Sequence, residues 1–148
     1  MSYNDLRKGR VSESGREYFV TIVTRNRVAW FEDFRRARTL IEQMSHAERT
    51  QQITWLAWVV MPDHLHGLIR LHHGDLSGTI KGFKARSARR INRSLGRTGA
   101  FWQPSFFDRA LRADEDRRAV ARYIVANPLR AGLVTWIGDY PHWDSVWL

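Results

Sequence analysis

Two histidines separated by one residue, in the run DHLHGLIR (63–70), are the first candidates for chemistry. If that run is extended, His64, His66, Leu68 and Arg70 share one face, while Leu65, Gly67, Ile69 and Leu71 share the other. The two imidazoles then point the same way with Cα atoms about 7 Å apart, a spacing suited to chelating one divalent ion. An isolated His-x-His is more often a pair of half-exposed strand histidines without a ligand. Far downstream, Tyr123 and Asn127 stand one helical turn apart, with Cβ atoms about 5–6 Å from each other. With Ala119, Val120 and Ile124 they line one side of a helix, and Arg117, Arg118, Ala121 and Arg122 line the other. If the first side docks near the histidine face, the Asn127 amide oxygen completes a His-His-Asn metal site beside the Tyr123 hydroxyl. Taken singly, Tyr123 is better read as a core aromatic with its hydroxyl bonded locally and Asn127 as an ordinary helix C-terminal residue, and spacing alone does not establish the docking.

The elements that must position these residues follow from periodicity. Residues 18–24 (YFVTIVT) are β-branched and aromatic, which predicts a strand. Leu40, Ile41 and Met44 recur at helical spacing within 33–50. A strand at 55–60 leads through the turn Met61, Pro62, Asp63 into a strand at 64–71, forming a hairpin. A basic helix at 76–94, a strand at 106–112 and a helix at 114–127 complete the order. Asp114, Glu115 and Asp116 are expected in the first turn of that last helix, and Pro128 stops it. The succession β-α-β-β-α-β predicts an α+β chain with a ferredoxin-like (RRM-like) antiparallel sheet and an added C-terminal helix carrying Tyr123. One domain is expected over 1–148, with a polar, basic arm at 1–16 and an irregularly packed aromatic tail at 129–148.

Lys plus Arg number 24 against 15 acidic residues, a formal net charge of +9. Only Lys8, Lys81 and Lys84 are lysines; every other basic residue is arginine, whose planar fork matches phosphate. That bias points to a polyanionic partner, nucleic acid ahead of an anionic membrane. Lys81, Lys84, Arg86, Arg89, Arg90, Arg93 and Arg97 cluster on and after the basic helix, with 86, 90, 93 and 97 on one face if the helix reaches that far. Such a face serves as a phosphate track or as a solvated charged surface. Phe101 and Trp102 are expected to fill the core, with stacking on unpaired bases as the alternative, whereas His46, His72, His73 and His142 read as surface or turn residues. Cysteine is absent, which excludes disulfides and thiol catalysis. The N-terminal residues lack the apolar core of a signal peptide and no run is long enough to span a bilayer, so a cytoplasmic, nucleoid-associated protein is expected.

The segments VVMPDHLHGLI, LSGTIKGFKARSARRINR, FWQPSFFDRALR and YIVANPLRAGLV resemble the REP-associated tyrosine transposases, single-tyrosine enzymes with a His-hydrophobic-His motif. The resemblance runs from about Tyr18 to Val134. It implies that His64 and His66 are metal ligands, Asn127 the third ligand and Tyr123 the nucleophile. It also implies a substrate, single-stranded or hairpin DNA of repetitive extragenic palindromes, and a divalent ion, Mg²⁺ or Mn²⁺. On ligand chemistry alone the two imidazoles favour Mn²⁺, since Mg²⁺ prefers oxygen; the resemblance brings Mg²⁺ level. Arg109 stands where relatives often carry a histidine after Asp.

The implied reaction is cleavage and rejoining of a strand through a 5′-phosphotyrosine. Tyr3, Tyr18 and Tyr140 are poorer nucleophile candidates, lying in the arm, in a strand near the N-terminus and in a Pro-flanked tail. The alternatives are a non-catalytic ferredoxin-like module that binds single-stranded nucleic acid, and a metal-dependent phosphoesterase using water. A monomer is favoured, with the oligomeric state open.

Overall fold

The computed structural model describes residues 15–50 and 52–147, so the predicted arm lies outside the described residues except for Gly15 and Arg16. Six elements follow in the predicted order: β1 (Glu17–Val23), α1 (Phe34–Arg49), β2 (Ile53–Met61), β3 (His64–Leu71), α2 (Leu76–Leu95) and β4 (Phe107–Ala110). After them come α3 (Arg117–Val125), the single turn α4 (Asn127–Arg130) and a short strand β5 (Trp143–Ser145). The sheet is antiparallel, in the order β4-β1-β3-β2-β5. Its first four strands have the ferredoxin-like arrangement.

β5 corrects the expectation of an irregular tail. Trp143, Asp144 and Ser145 pair with Val59, Trp58 and Ala57, and His142 accepts a hydrogen bond from the Val60 N–H. The tail thereby covers the open backbone groups of β2, which would otherwise form an exposed edge. His142, expected at the surface, is only 5% exposed, with its ring between those of Phe34 and Tyr140.

Each principal helix starts on an aspartate that accepts backbone N–H groups of the first turn: Asp33 for α1, Asp75 for α2 and Asp116 for α3. α3 is therefore shorter than predicted, because Asp116 is its cap and Glu115 lies before it, held by both terminal nitrogens of Arg109 at 2.8 and 2.9 Å. α2 ends where Gly96 adopts a left-handed conformation (φ 63°), which turns the chain out of the helix. Arg97 consequently does not continue the face of Arg86, Arg90 and Arg93. It bonds Asn92 instead, and its guanidinium lies 5.2 Å from the Trp30 ring centre.

Strand alternation sets the two faces of the sheet. Val20, Ile22, Leu65, Ile69 and Leu71 are buried in the main core with Leu40, Met44, Ile80, Phe83 and Ile91 of α1 and α2. Gly67 faces this core too, where a Cβ would come within 2.6 Å of the Trp55 ring, so the position takes glycine. Phe101 and Trp102 are buried in the same core, and the Trp102 indole donates to Ser87, so neither is a base-stacking surface. A bulge in β2 between Trp55 and Ala57 shifts the alternation. It places Leu56, Ala57, Val59 and Met61 together in a second, smaller core on the opposite face.

α3 covers that second face, packing Ala121 and Ile124 against Leu56, Ala57, Val59, Met61 and Leu68. The docking expected from sequence is present, but the helix is rotated. Ala121, assigned to the charged side, is buried, while Ala119 and Tyr123 are exposed. A small residue at 121 lets the helix approach the sheet closely, which a Tyr123-inward orientation would prevent. Arg70 and Arg117 share the Glu17 carboxylate, each at 2.8 Å, and tie the start of α3 to β1 and β3. Ile124→Ala should cost about 2–5 kcal/mol by emptying the centre of this interface, read as a lower urea midpoint.

Candidate active site

His64 and His66 open β3 directly after the Pro62–Asp63 turn, on the face that α3 covers. Their ring centres are 4.5 Å apart and their planes meet at 78°. Each Nδ1 is engaged by the protein. His64 Nδ1 donates to Asp63 Oδ1 at 2.6 Å, and His66 Nδ1 is hydrogen-bonded to Thr21 Oγ1 at 2.8 Å. Thr21 lies opposite His66 in the β1–β3 register. The Asp63 carboxylate accepts, so His64 Nδ1 carries the proton and its Nε2 the lone pair available to a metal ion, whereas the Thr21 hydroxyl serves either tautomer of His66.

Asp63 is itself held by Arg27 at 3.3 Å. Partial burial works to raise its carboxyl, but His64 and Arg27 overrule it and hold Asp63 below its ordinary 3.8. Burial first, then the charges of His64 and Arg130, push His66 from 6.5 down to about 3, with Asp63 opposing. The His66 ring is therefore neutral at neutral pH, and metal binding need not displace a proton from it. Among the described residues no group of three His, Cys, Asp or Glu side chains is placed to hold a metal ion. The donor set at the histidine pair fits a divalent ion if a ligand of another type, such as an amide, completes it.

Tyr123 lies on α3 and is 58% exposed. The Arg130 guanidinium sits over its ring, 3.8 Å from the centre, and the same charge is felt at His66. Asn127 opens α4 and is partly buried. Of the other described tyrosines, Tyr18 is 3% exposed, in the main core. Tyr140 donates to the Val60 carbonyl at 2.6 Å, and burial pushes its hydroxyl up to about 12. Tyr3 lies outside the described residues. Tyr123 is the one exposed phenol among those described.

The basic cluster divides. Lys84, predicted to face DNA, donates to the carbonyls of Gln103 and Ser105 at 2.6 and 3.1 Å and anchors the segment before β4. Arg97 folds back as described above. Lys81 remains exposed on α2. Arg86, Arg89, Arg90 and Arg93 line one cleft with Gln43, and the Nε and Nη2 of Arg86 are buried there without a partner. These residues belong to the helical layer that covers the sheet face opposite the histidines. Sequence reasoning missed Arg130, Thr21, Asp63 and Phe19, whose ring centre is 5.6 Å from that of His66. Asp63 carried a usable signal, a carboxylate beside His64; the other three depend on strand register and helix docking.

The sequence profile of the family described as "Transposase IS200 like" matches residues 12–127. The REP-associated tyrosine transposase of Escherichia coli (strain K12) is 28% identical over 131 residues, covering 86% of this chain and 74% of that protein. A solved structure of a REP-associated tyrosine transposase bound to a REP hairpin matches with a TM-score of 0.75 at 28% identity, covering 90% of this chain and 79% of that one. A crystal structure of a Deinococcus radiodurans protein ascribed to the transposases matches with a TM-score of 0.57 at 25% identity, over 80% of this chain and 95% of that one.

The chain belongs to the IS200-like transposase family. Within that family it resembles the REP-associated tyrosine transposases, and it is accordingly an enzyme of the tyrosine-transposase class, not a non-catalytic binding module. No helix among the described residues is long and apolar enough to cross a membrane.

Proposed function

We propose that this chain cleaves and rejoins single-stranded or hairpin DNA of repetitive extragenic palindromes through a 5′-phosphotyrosine on Tyr123. His64, His66 and Asn127 would hold a Mg²⁺ or Mn²⁺ ion. One observation carries the reading: two imidazoles, each fixed through Nδ1, share a sheet face with the helix that bears the exposed Tyr123. The solved relative bound to a REP hairpin supports the choice of substrate.

A phosphodiester resists attack because its charge repels nucleophiles and its 3′ oxygen leaves poorly. A divalent ion, when bound, withdraws charge from a non-bridging oxygen and steadies the leaving oxygen. The Tyr123 oxygen forms the new bond to phosphorus as the bond to the 3′ oxygen breaks; the phenolic proton is lost to solvent and the departing 3′ oxygen takes one up from solvent. The Arg130 guanidinium packed over the Tyr123 ring holds the phenol in place. The released 3′ hydroxyl can attack the phosphotyrosine in reverse, which rejoins DNA without an external energy source. Lys81, Arg86, Arg89, Arg90 and Arg93 would hold DNA through phosphates on the other layer, without reading its sequence. A cytoplasmic, nucleoid-associated site of action goes with such a substrate.

Incubation with palindromic single strands and Mn²⁺ should give a covalent protein–DNA product on a denaturing gel. No product with any such strand and either ion would overturn the proposal. Asp63→Ala should weaken Mn²⁺ binding by about 10- to 100-fold in calorimetry, because His64 loses the group that fixes its tautomer and orientation.

A further inference from the structure

Beside Tyr123 the surface opens into a cleft of about 490 Å³, whose lining includes Phe19, Phe107, Val120 and Tyr123. Two of its rings are unusually open to solvent for large apolar side chains, Phe107 at 51% and Tyr123 at 58%. Phe107 lies on the edge strand β4, opposite Thr21, and Thr21 lies opposite His66. The three residues form one row across the sheet, which puts Phe107 two strand spacings, roughly 10 Å, from His66. Phe19 fills the gap between them, its ring 6.3 Å from Phe107 and 5.6 Å from His66. The cleft is thus continuous with the candidate active site.

We propose that this cleft receives one unpaired nucleobase of the DNA strand, belonging to a nucleotide next to the phosphate that Tyr123 attacks. The inference rests on the reading of Tyr123 as the nucleophile.

The lining chemistry selects a flat, uncharged group. Arg109, at the rim, is matched by Glu115 in a two-point ion pair, so it is not a bare cation competing for phosphate. Asp116 spends one carboxylate oxygen on capping α3. Its other oxygen lies 4.0 Å from Arg122 and remains well exposed, in reach of a base amino group. A base stacked on Phe107 would recover the apolar surface that this ring leaves open to water. It would also hold the backbone on either side, so that the phosphate stays beside the phenol while the strand is cut and while the free 3′ hydroxyl waits to return. Stacking tolerates any base, so the cleft would position a nucleotide without strongly selecting its identity.

The test uses the full chain and a palindromic single strand that it joins covalently, synthesised as a series with one abasic residue at each successive position. Affinity is read by fluorescence anisotropy and adduct formation on a denaturing gel. Phe107→Ala removes an exposed ring and should lower affinity for the intact strand by roughly 5- to 100-fold, the worth of one base–aromatic stack. Phe107→Trp should restore it. At one abasic position, adjacent to the cleavage point, wild type and Phe107→Ala should bind equally weakly. Equal affinity of the two proteins for the intact strand overturns the proposal, as does a loss that no abasic position removes. A change in self-association without a change in strand binding would assign the cleft to a second copy and likewise overturn it. Failure of the wild type to bind or join any strand would tell against the proposed function itself, a result distinct from all of these.

Discussion

Tyr123→Phe should abolish the covalent protein–DNA product, with a fall in cleavage rate on the order of 10⁴-fold or more, because the only atom removed is the nucleophile. Affinity for the uncut strand should stay within about twofold, since the side chain is exposed and the ring that Arg130 covers is retained. The pairing of results is what makes the experiment informative. Loss of both product and affinity would mean that the substitution disturbed the docking of α3. Continued cleavage without a covalent product would replace the tyrosine mechanism with attack by water. An unchanged product would move the nucleophile to another residue, and Tyr140 is poorly suited, its hydroxyl committed to the Val60 carbonyl and pushed up to about 12 by burial.

The second large effect concerns the histidine pair. His66→Ala should lower metal-dependent cleavage by roughly 10³-fold, corresponding to the several kcal/mol of transition-state stabilisation that a bound ion contributes. Mn²⁺ binding measured by calorimetry should fall in parallel, independently of any DNA. Unchanged Mn²⁺ binding would remove His66 from the ligand set. The same variant tests the acid sensitivity of the fold. His66 titrates at about 3 in the folded protein against an ordinary 6.5, so between those values the unfolded chain binds more protons. The stability contributed by the neutral ring is therefore complete above about pH 6.5 and is lost as pH falls towards 3. Urea midpoints for wild type should drop over that window more steeply than those of His66→Ala. Parallel curves would show that the ring protonates freely in the folded state.

Much of the scaffold was legible because its signals are local. The alternation of β1 and β3, the helical spacing of Leu40 and Met44, and the Pro62–Asp63 turn each depend on neighbours a few residues away. The shared orientation of His64 and His66 follows from strand geometry alone. The errors arose where a local pattern met a distant constraint. Asp114 and Glu115 are suited to a helix first turn, yet Glu115 is drawn to Arg109 on β4, and the helix waits for Asp116. Lys84 reads as one more cation on a basic helix, but two carbonyls from the segment before β4 claim its ammonium. Residues 143–145 are too short a signal to announce a strand, and they became one because β2 offered an edge.

The order of elements, the excess of arginine, the paired imidazoles and the phenol one turn before an amide were all written in the chain, since each depends on residue type and short-range geometry. Only the tertiary structure decided which way α3 is rotated, and hence that Ala121 and Ile124 turn inward while Tyr123 stays open. It also brought Thr21 to His66, Arg130 to the phenol and Phe107 into line with both sheet residues. Those relations join residues far apart in sequence, and they are selected by the fit of two packed surfaces and by strand register, neither of which any single segment encodes.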